Sequence, residues 1–132
     1  MPPEGESDAI TLLVVDDSLA VLAGASALLD EADGIAVIGC CDNGREAVEL
    51  AGRLRPDVVV LDLDMPGMDG VEACRLIKTT RPETKVVLHT GADRGRRAEE
   101  AVRAGVSGIQ PKTGDAGALI EAVRRVHRST TS

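Results

Sequence analysis

Polar groups that can do chemistry directly follow four of the apolar runs in this chain. An aspartate pair follows the first run, an aspartate the third, a threonine the fourth and a lysine the fifth. If these runs are parallel strands, their ends meet at one edge of a sheet, so that carboxylates, hydroxyl and ammonium converge. The residues concerned are Asp16, Asp17, Asp62, Thr90 and Lys112, with Asp64 just beyond Asp62.

Carboxylates brought together in this way repel one another, by roughly 4 kcal/mol at ~4 Å and an effective dielectric constant near ~20. The single lysine does not neutralise them all. An all-oxygen cluster favours a hard divalent cation, and Mg²⁺ suits a few carboxylates better than Ca²⁺ because it keeps several waters. The ion would lower the repulsion and let one carboxylate attack an electrophile such as a phosphoryl group, whose other oxygens the hydroxyl and ammonium would hold.

A plainer interpretation is that Asp16 and Asp17 cap the first helix together with Ser18. That interpretation leaves the polar groups at the other strand ends unexplained. The joint pattern therefore favours a cation-dependent site over a capping role.

The elements that must position these groups alternate strictly between strand and helix. The strand candidates are apolar throughout, which predicts strands covered on both faces. The alternation predicts a flavodoxin-like (βα)5 three-layer sandwich with a parallel sheet of order 2-1-3-4-5. The predicted strands are Ile10–Val15, Ala36–Cys41, Val58–Leu61, Lys85–Leu88 and Val106–Gln110, and the predicted helices are Ser18–Glu31, Glu46–Leu54, Val71–Thr80, Arg96–Ala104 and Ala116–Arg128.

Length and composition indicate one soluble domain. The chain has 132 residues, of which 43% are hydrophobic and none is Phe, Tyr or Trp, so aliphatic residues must build the core. We expect a disordered leader at 1–8, a domain at 9–128, and a tail or the start of a linker at 129–132. A formal net charge of −7 disfavours direct nucleic-acid binding by this domain.

Targeting and redox signals are absent from the sequence. No apolar run reaches the ~18–20 residues that span a bilayer, and the N-terminus does not resemble a signal peptide. The odd count of three cysteines suggests no disulfide framework, and we expect mostly buried, reduced thiols. The sequence thus predicts a cytoplasmic protein without a membrane partner.

The chain resembles the receiver (CheY-like) domains of two-component response regulators from about Ile10 to Arg128. The resemblance rests on the segments 14–18 (VVDDS) and 60–70 (VLDLDMPGMDG), on Thr90-Gly91 and on Lys112. The segments 104–108 (AGVSG) and 119–123 (LIEAV) resemble the branch whose members often carry a C-terminal helix-turn-helix, which implies transcription regulation.

This resemblance implies a role for each residue at the strand ends. Asp62 would accept the phosphoryl group from a sensor histidine kinase or a phosphotransfer protein, with Mg²⁺ bound by the carboxylates of Asp16 and Asp17. The resemblance also implies that the domain is no enzyme beyond catalysing its own phosphorylation and dephosphorylation, and it leaves homodimer formation open. The remaining implied roles are the Asp64 backbone carbonyl as a further metal ligand, Thr90 as the switch hydroxyl and Lys112 as the phosphate contact.

The sequence departs from the family pattern at three positions. The aromatic residue usual three places before the lysine is Ile109 here, so no aromatic rotamer can report phosphorylation. We therefore expect a response carried by the segment 91–97 and the helix after it. Second, Pro111 precedes Lys112, whereas many receivers have a proline after the lysine. Third, the residue two places after the expected phosphoacceptor is acidic (Asp64).

Three other protein classes share part of this pattern. The run Asp62-Leu63-Asp64 also resembles the opening motif of haloacid-dehalogenase-type phosphatases, but a whole βαβα unit precedes it here. A dinucleotide-binding module would need a glycine-rich turn after the first strand, where this chain has Asp16-Asp17-Ser18. A receiver-like module that is never phosphorylated remains open. Neither His89, predicted to face helix packing, nor His127, predicted to be exposed, is expected to act.

Overall fold

A computed structural model describes residues 9–91, 95–112 and 115–129. Within these ranges, five strands alternate with five helices, as the sequence predicts. The strands are β1 (Ile10–Val15), β2 (Ile35–Cys41), β3 (Val58–Asp62), β4 (Lys85–Thr90) and β5 (Gly108–Pro111); the helices are α1 (Leu19–Glu31), α2 (Gly44–Leu54), α3 (Gly70–Thr80), α4 (Gly95–Arg103) and α5 (Ala116–Arg128).

The strands form one parallel sheet in the order β2-β1-β3-β4-β5. One core layer packs between the sheet and helices α1 and α5, and includes Leu12, Val60 and Val123. The other layer packs under α2, α3 and α4, and includes Leu61 and Ile77. The three-layer flavodoxin-like prediction is confirmed.

The central strands β3 and β4 position two of the predicted site residues. All five residues of β3 are buried, since β1 and β4 flank the strand and helices cover both faces. Both β3 and β4 run further than predicted, so that Asp62 and Thr90 are the last residues of their strands. The two side chains therefore take fixed positions in the sheet instead of lying on loops.

Strand β5 differs from its prediction at both ends. Val106, predicted as its first residue, instead donates its backbone N–H to the carbonyl oxygen of Ala101 at 3.1 Å and closes the end of α4. Gly105, with φ +98°, makes this reversal possible because it lacks a Cβ. At the other end β5 includes Pro111, which an edge strand tolerates because it can leave one N–H position unpaired.

Two sequence expectations concern the termini and the thiols. The predicted leader at 1–8 and residues 130–132 of the predicted tail lie outside the described residues, as do residues 92–94 of the predicted response segment. Cys41 and Cys74 are buried and free, as expected, whereas Cys40 is exposed on β2. None of the helices in the described ranges is long and apolar enough to cross a bilayer.

Candidate functional site

The carboxyl ends of the strands bring the predicted residues together. In the sheet register Val15 lies beside Leu61, Asp62 beside His89, and Thr90 beside Pro111. Asp16 follows the first of these rows and Lys112 follows the last, so both lie at the same edge as Asp62. This edge is where open α/β sheets bind ligands.

Three aspartates form a compact acidic cluster at this edge. Asp16, Asp17 and Asp62 each offer a carboxylate oxygen within 4.8 Å of the others. The side chains differ in exposure: Asp16 and Asp62 are 2% and 3% exposed, whereas Asp17 is open to solvent. The cluster is therefore buried on the sheet side and accessible from the α1 side.

Backbone N–H groups orient the two buried carboxylates. Ser18 donates its backbone N–H to Asp16 Oδ1 at 2.9 Å, and Asp64 donates its own to Asp62 Oδ1 at 3.3 Å. Ser18 also caps α1, because its Oγ accepts the N–H of Val21 at 3.4 Å. Ser18 is thus the N-cap of α1, while Asp16 holds the Ser18 N–H through Oδ1 and directs Oδ2 toward Lys112.

The ammonium of Lys112 bridges the two buried carboxylates. Its Nζ lies 2.7 Å from Asp16 Oδ2 and 3.2 Å from Asp62 Oδ1. Burial by itself would lower the pKa of Lys112, but the hydrogen bond to Asp16 and the charges of Asp62 and Asp16 outweigh it and raise the pKa. Pro111 does not displace the lysine, whose backbone N–H reaches the carbonyl oxygen of Thr90 at 2.7 Å.

Crowding of the acids changes the protonation of Asp62. Burial, and then the negative charge of Asp16, raise the pKa of Asp62 to about 6, although Lys112 opposes both effects. One lysine therefore does not compensate the cluster. A cation placed among the three carboxylates would favour the ionised form of Asp62.

Helix α3 begins very close to the backbone of Asp62. A Cβ on Gly70 would overlap the carbonyl oxygen of Asp62, and the Gly70 N–H donates to the carbonyl oxygen of Leu63 at 2.8 Å. Only glycine lets the helix begin so near the strand end. Gly70 closes the motif 60–70 in the sequence, but its role as the point of close approach follows only from the contact with the Asp62 carbonyl.

The remaining predicted residues occupy different settings. Thr90 ends β4 and is 1% exposed. Asp64 has an exposed side chain in the loop after β3, and the use of its carbonyl as a ligand stays a prediction. His89 is buried, and burial followed by the charge of Lys112 lowers its pKa, whereas His127 is exposed as expected.

Comparison with known proteins decides the family. The model of the response regulator receiver domain matches residues 12–124. The chain belongs to this family. The receiver is 36% identical over 117 residues to response regulator GacA of Pseudomonas viridiflava, covering 89% of this chain and 55% of that protein. It is also 36% identical over 118 residues to the transcriptional regulatory protein LnrK of Bacillus subtilis, covering 89% and 54%.

Solved structures place the receiver in the same fold family. The signal receiver domain of the response regulator NarL from Mycobacterium tuberculosis superposes with a TM-score of 0.88 at 27% identity, covering 92% of this chain and 98% of that one. The response regulator domain of Thermotoga maritima CheB gives 0.85 at 31% identity, with coverages of 92% and 98%. The phosphatase and dinucleotide-binding alternatives are therefore not supported.

The receiver spans only part of the curated relatives that it matches. It covers about half of GacA, and 30% of a protein-glutamate methylesterase/protein-glutamine glutaminase of Alkalilimnicola ehrlichii, to which it is 40% identical over 119 residues. The enzyme name belongs to that whole protein. Receiver domains themselves are phosphorylated and bind Mg²⁺ at an acidic pocket, and they interact with histidine kinases or phosphotransfer proteins.

The residues at the strand ends fit such a cation. In the described part of the chain the partner of the buried Asp16 Oδ2 is the Lys112 ammonium, and this oxygen accepts no backbone hydrogen bond there. The donor set consists of carboxylate oxygens with solvent access beside Asp17, which suits a hard ion that keeps its own waters. The cluster therefore has the charge, donor type and access that Mg²⁺ requires.

Proposed function

We propose that this receiver accepts a phosphoryl group on Asp62 from a histidine kinase or phosphotransfer protein, and then changes conformation to control an output. Mg²⁺ would be held by Asp16, Asp17 and Asp62, with the Asp64 backbone carbonyl as a further ligand. The observation that carries the proposal is the setting of Asp62, a buried carboxylate beside two further acids and within 3.2 Å of the Lys112 ammonium.

The contacts of Asp62 suggest which oxygen reacts. Its Oδ1 is held by the Asp64 N–H at 3.3 Å and the Lys112 ammonium at 3.2 Å, so Oδ2 is the oxygen that we expect to attack phosphorus. A new P–O bond forms to Asp62 while the bond from phosphorus to the donor's leaving atom breaks. The bound Mg²⁺ supplies neutralisation of the carboxylates and polarisation of the phosphoryl oxygens.

Two further side chains would receive the phosphoryl oxygens. Lys112 already stands between Asp16 and Asp62, so a small rotation of its ammonium brings it to a phosphoryl oxygen. The Thr90 hydroxyl, at the end of the neighbouring strand, would bind another oxygen. The phosphoryl group would thereby draw Thr90 and the residues after it toward Asp62.

The wider assignment follows from the same proposal. Residues 9–128 would form a cytoplasmic receiver domain, preceded by a leader and followed by a tail or linker. The name of the relative LnrK, a transcriptional regulatory protein, supports transcription as the output. Beyond its own phosphorylation and dephosphorylation this domain would catalyse nothing, and a homodimer is compatible with it.

Intact-mass measurement tests the assignment. With acetyl phosphate and Mg²⁺ the wild type should gain one phosphoryl group, and Asp62→Asn or addition of a chelator should abolish the gain. Asp42→Asn is the matched control, because Asp42 is an exposed acid outside the cluster, and it should behave as the wild type does. Equal phosphorylation of wild type and Asp62→Asn would overturn the assignment, and none in the wild type would favour a non-phosphorylated module.

A further inference from the structure

Helix α4 buries little apolar surface in the part that the structure describes. Among the described side chains of α4, Ala101 is buried and Val102 is 66% exposed. A cleft of about 470 Å³ separates the helix from α3, and its lining is mostly charged. An element with so little buried apolar surface can move at low cost. The lining residues are Asp69, Val71, Glu72, Arg75, Glu100 and Arg103.

An ion pair joins α4 to the start of α3 beside this cleft. Arg97, in the first turns of α4, places Nη2 2.8 Å from Asp69 Oδ2 and Nε 3.3 Å from Glu100 Oε1. Asp69 is the N-cap of α3, and its Oδ1 accepts the N–H of Glu72 at 3.0 Å. Both partners are therefore already oriented by a second contact, which reduces the entropy lost in pairing and separates this pair from most exposed ion pairs.

The Arg97–Asp69 pair also connects the loop after Asp62 to the helix after Thr90. Asp69 ends the loop that follows Asp62, and the tight packing of Gly70 on the Asp62 carbonyl fixes that loop end relative to the acidic cluster. Arg97 belongs to the helix that follows Thr90 in the chain. A movement of Thr90 and α4 relative to Asp62 must therefore stretch the contact between Arg97 and Asp69.

We propose that the Arg97–Asp69 ion pair is a latch that holds the first turns of α4 against α3 until Asp62 is phosphorylated. This inference rests on the proposed function, since it names how the same site reaches the outer surface. It supplies a coupling route in a receiver where Ile109 replaces the usual aromatic residue.

Charge gives a reason for the latch to open. The hydrogen bond and charge of Asp69 contribute most to raising the pKa of Arg97, and the charges of Glu100 and Asp64 add to the effect. Arg97 therefore already interacts electrostatically with Asp64, two residues after Asp62. Phosphorylation replaces the single negative charge of the Asp62 carboxylate with the roughly −1.5 to −2 of a phosphoryl group, a net gain of at most about one negative charge near Asp64. That charge attracts the guanidinium away from Asp69 while the displacement of Thr90 pulls on the same helix.

Three variants isolate the latch. Arg97→Gln removes the cation, and Asp69→Asn removes the anion while asparagine keeps the N-cap of α3. Arg103→Gln is the matched control, because Arg103 lies on the same helix and its ion pair with Glu99, at 3.8 Å, is within α4. Melting temperatures of all the variants establish that each is folded before the two readouts are compared.

The readouts are hydrogen exchange of α4 without phosphodonor, and the rate of phosphorylation by acetyl phosphate with Mg²⁺. Arg97→Gln and Asp69→Asn should each raise both rates about two- to fivefold, because loss of the latch enlarges the fraction in the released state. The double variant should add little to either single variant, and Arg103→Gln should match the wild type.

The possible failures are distinguishable. If the wild type takes up a phosphoryl group but Arg97→Gln matches Arg103→Gln in both readouts, or is slower, the latch is wrong and the proposed function stands. If the wild type takes up none, the proposed function fails. Hydrogen exchange of α4 then still decides whether the ion pair restrains the helix.

Discussion

Helices α3 and α4 follow neighbouring strands of the site but are anchored in opposite ways. Helix α3, which comes after Asp62, buries Val71, Ala73, Cys74 and Ile77 in the core. Helix α4, which comes after Thr90, has Ala101 as the buried member of its described side chains. The phosphoacceptor candidate Asp62 is thus followed by a firmly packed helix, whereas Thr90, the proposed switch residue, is followed by a helix with little buried apolar surface.

The sequences of the two helices contain the physical cause of this difference. The segment GVEACRLIKTT of α3 has a broad apolar face with Val71, Cys74 and Ile77, whereas GRRAEEAVR of α4 has a narrow apolar face of Ala98, Ala101 and Val102 and five charged residues. Buried apolar area provides most of the stability of a helix within a protein. A signal that must move one element at low cost is better served by α4 than by α3.

Side-chain truncation should give the largest contrast between the two helices. Ile77→Ala in α3 should lower the free energy of unfolding by about 2–5 kcal/mol, because the side chain is 1% exposed. Val102→Ala in α4 should change it by less than about 0.5 kcal/mol. Val71→Ala, a buried valine in α3, is the matched control and should cost about 1.5–3 kcal/mol. Urea denaturation measures all three, and similar costs for the two valines would contradict the comparison.

Removing the negative charge of Asp62, the residue that precedes the firmly packed α3, should have the next largest effect on the free energy of unfolding. Asp62 has its pKa raised to about 6 from 3.8, so its ionised form is disfavoured in the metal-free fold. The stabilisation from the protonated form is complete below about pH 4 and is lost as the pH rises through about 6. In the presence of a chelator, Asp62→Asn should therefore exceed the wild type in stability at pH 8, by at most about 3 kcal/mol.

The pH dependence provides the control for that prediction. At pH 4, where Asp62 is largely protonated in the fold, Asp62→Asn and the wild type should have similar free energies of unfolding. Denaturant titrations at the two pH values measure the difference. A gain of the same size at pH 4 and pH 8 would show that something other than the charge of Asp62 is responsible.

Mg²⁺ should have the smallest effect on stability, and it should slow hydrogen exchange of β3 and of α4 by different factors. At ten times its dissociation constant, Mg²⁺ should add about 1.4 kcal/mol to the free energy of unfolding, a rise of roughly 3–8 °C in melting temperature. Amides of β3 that exchange through global unfolding should slow about tenfold, whereas α4, opening locally, should slow far less. Equal slowing of β3 and α4 would mean that α4 does not open independently.

The site was predictable from sequence to the extent that strand ends define it. Asp16, Asp62, Thr90 and Lys112 each follow an apolar run, and parallel strands must bring such ends to one edge. The pattern did not reveal that the two adjacent aspartates differ in burial: Asp16 is buried beside Lys112, whereas Asp17 is exposed. This difference in burial depends on how the chain leaves β1 and enters α1.

The sequence by itself determined the alternation of elements, the sheet order and the residues at the strand ends, because hydrophobic periodicity reports which faces are buried. Only the tertiary structure decided that Gly70 must lack a Cβ to clear the Asp62 carbonyl, and that Arg97 meets Asp69. Both contacts depend on the angle and distance at which whole helices pack against their neighbours. Local periodicity fixes the face that a helix buries, but not the neighbour that its polar edge will meet.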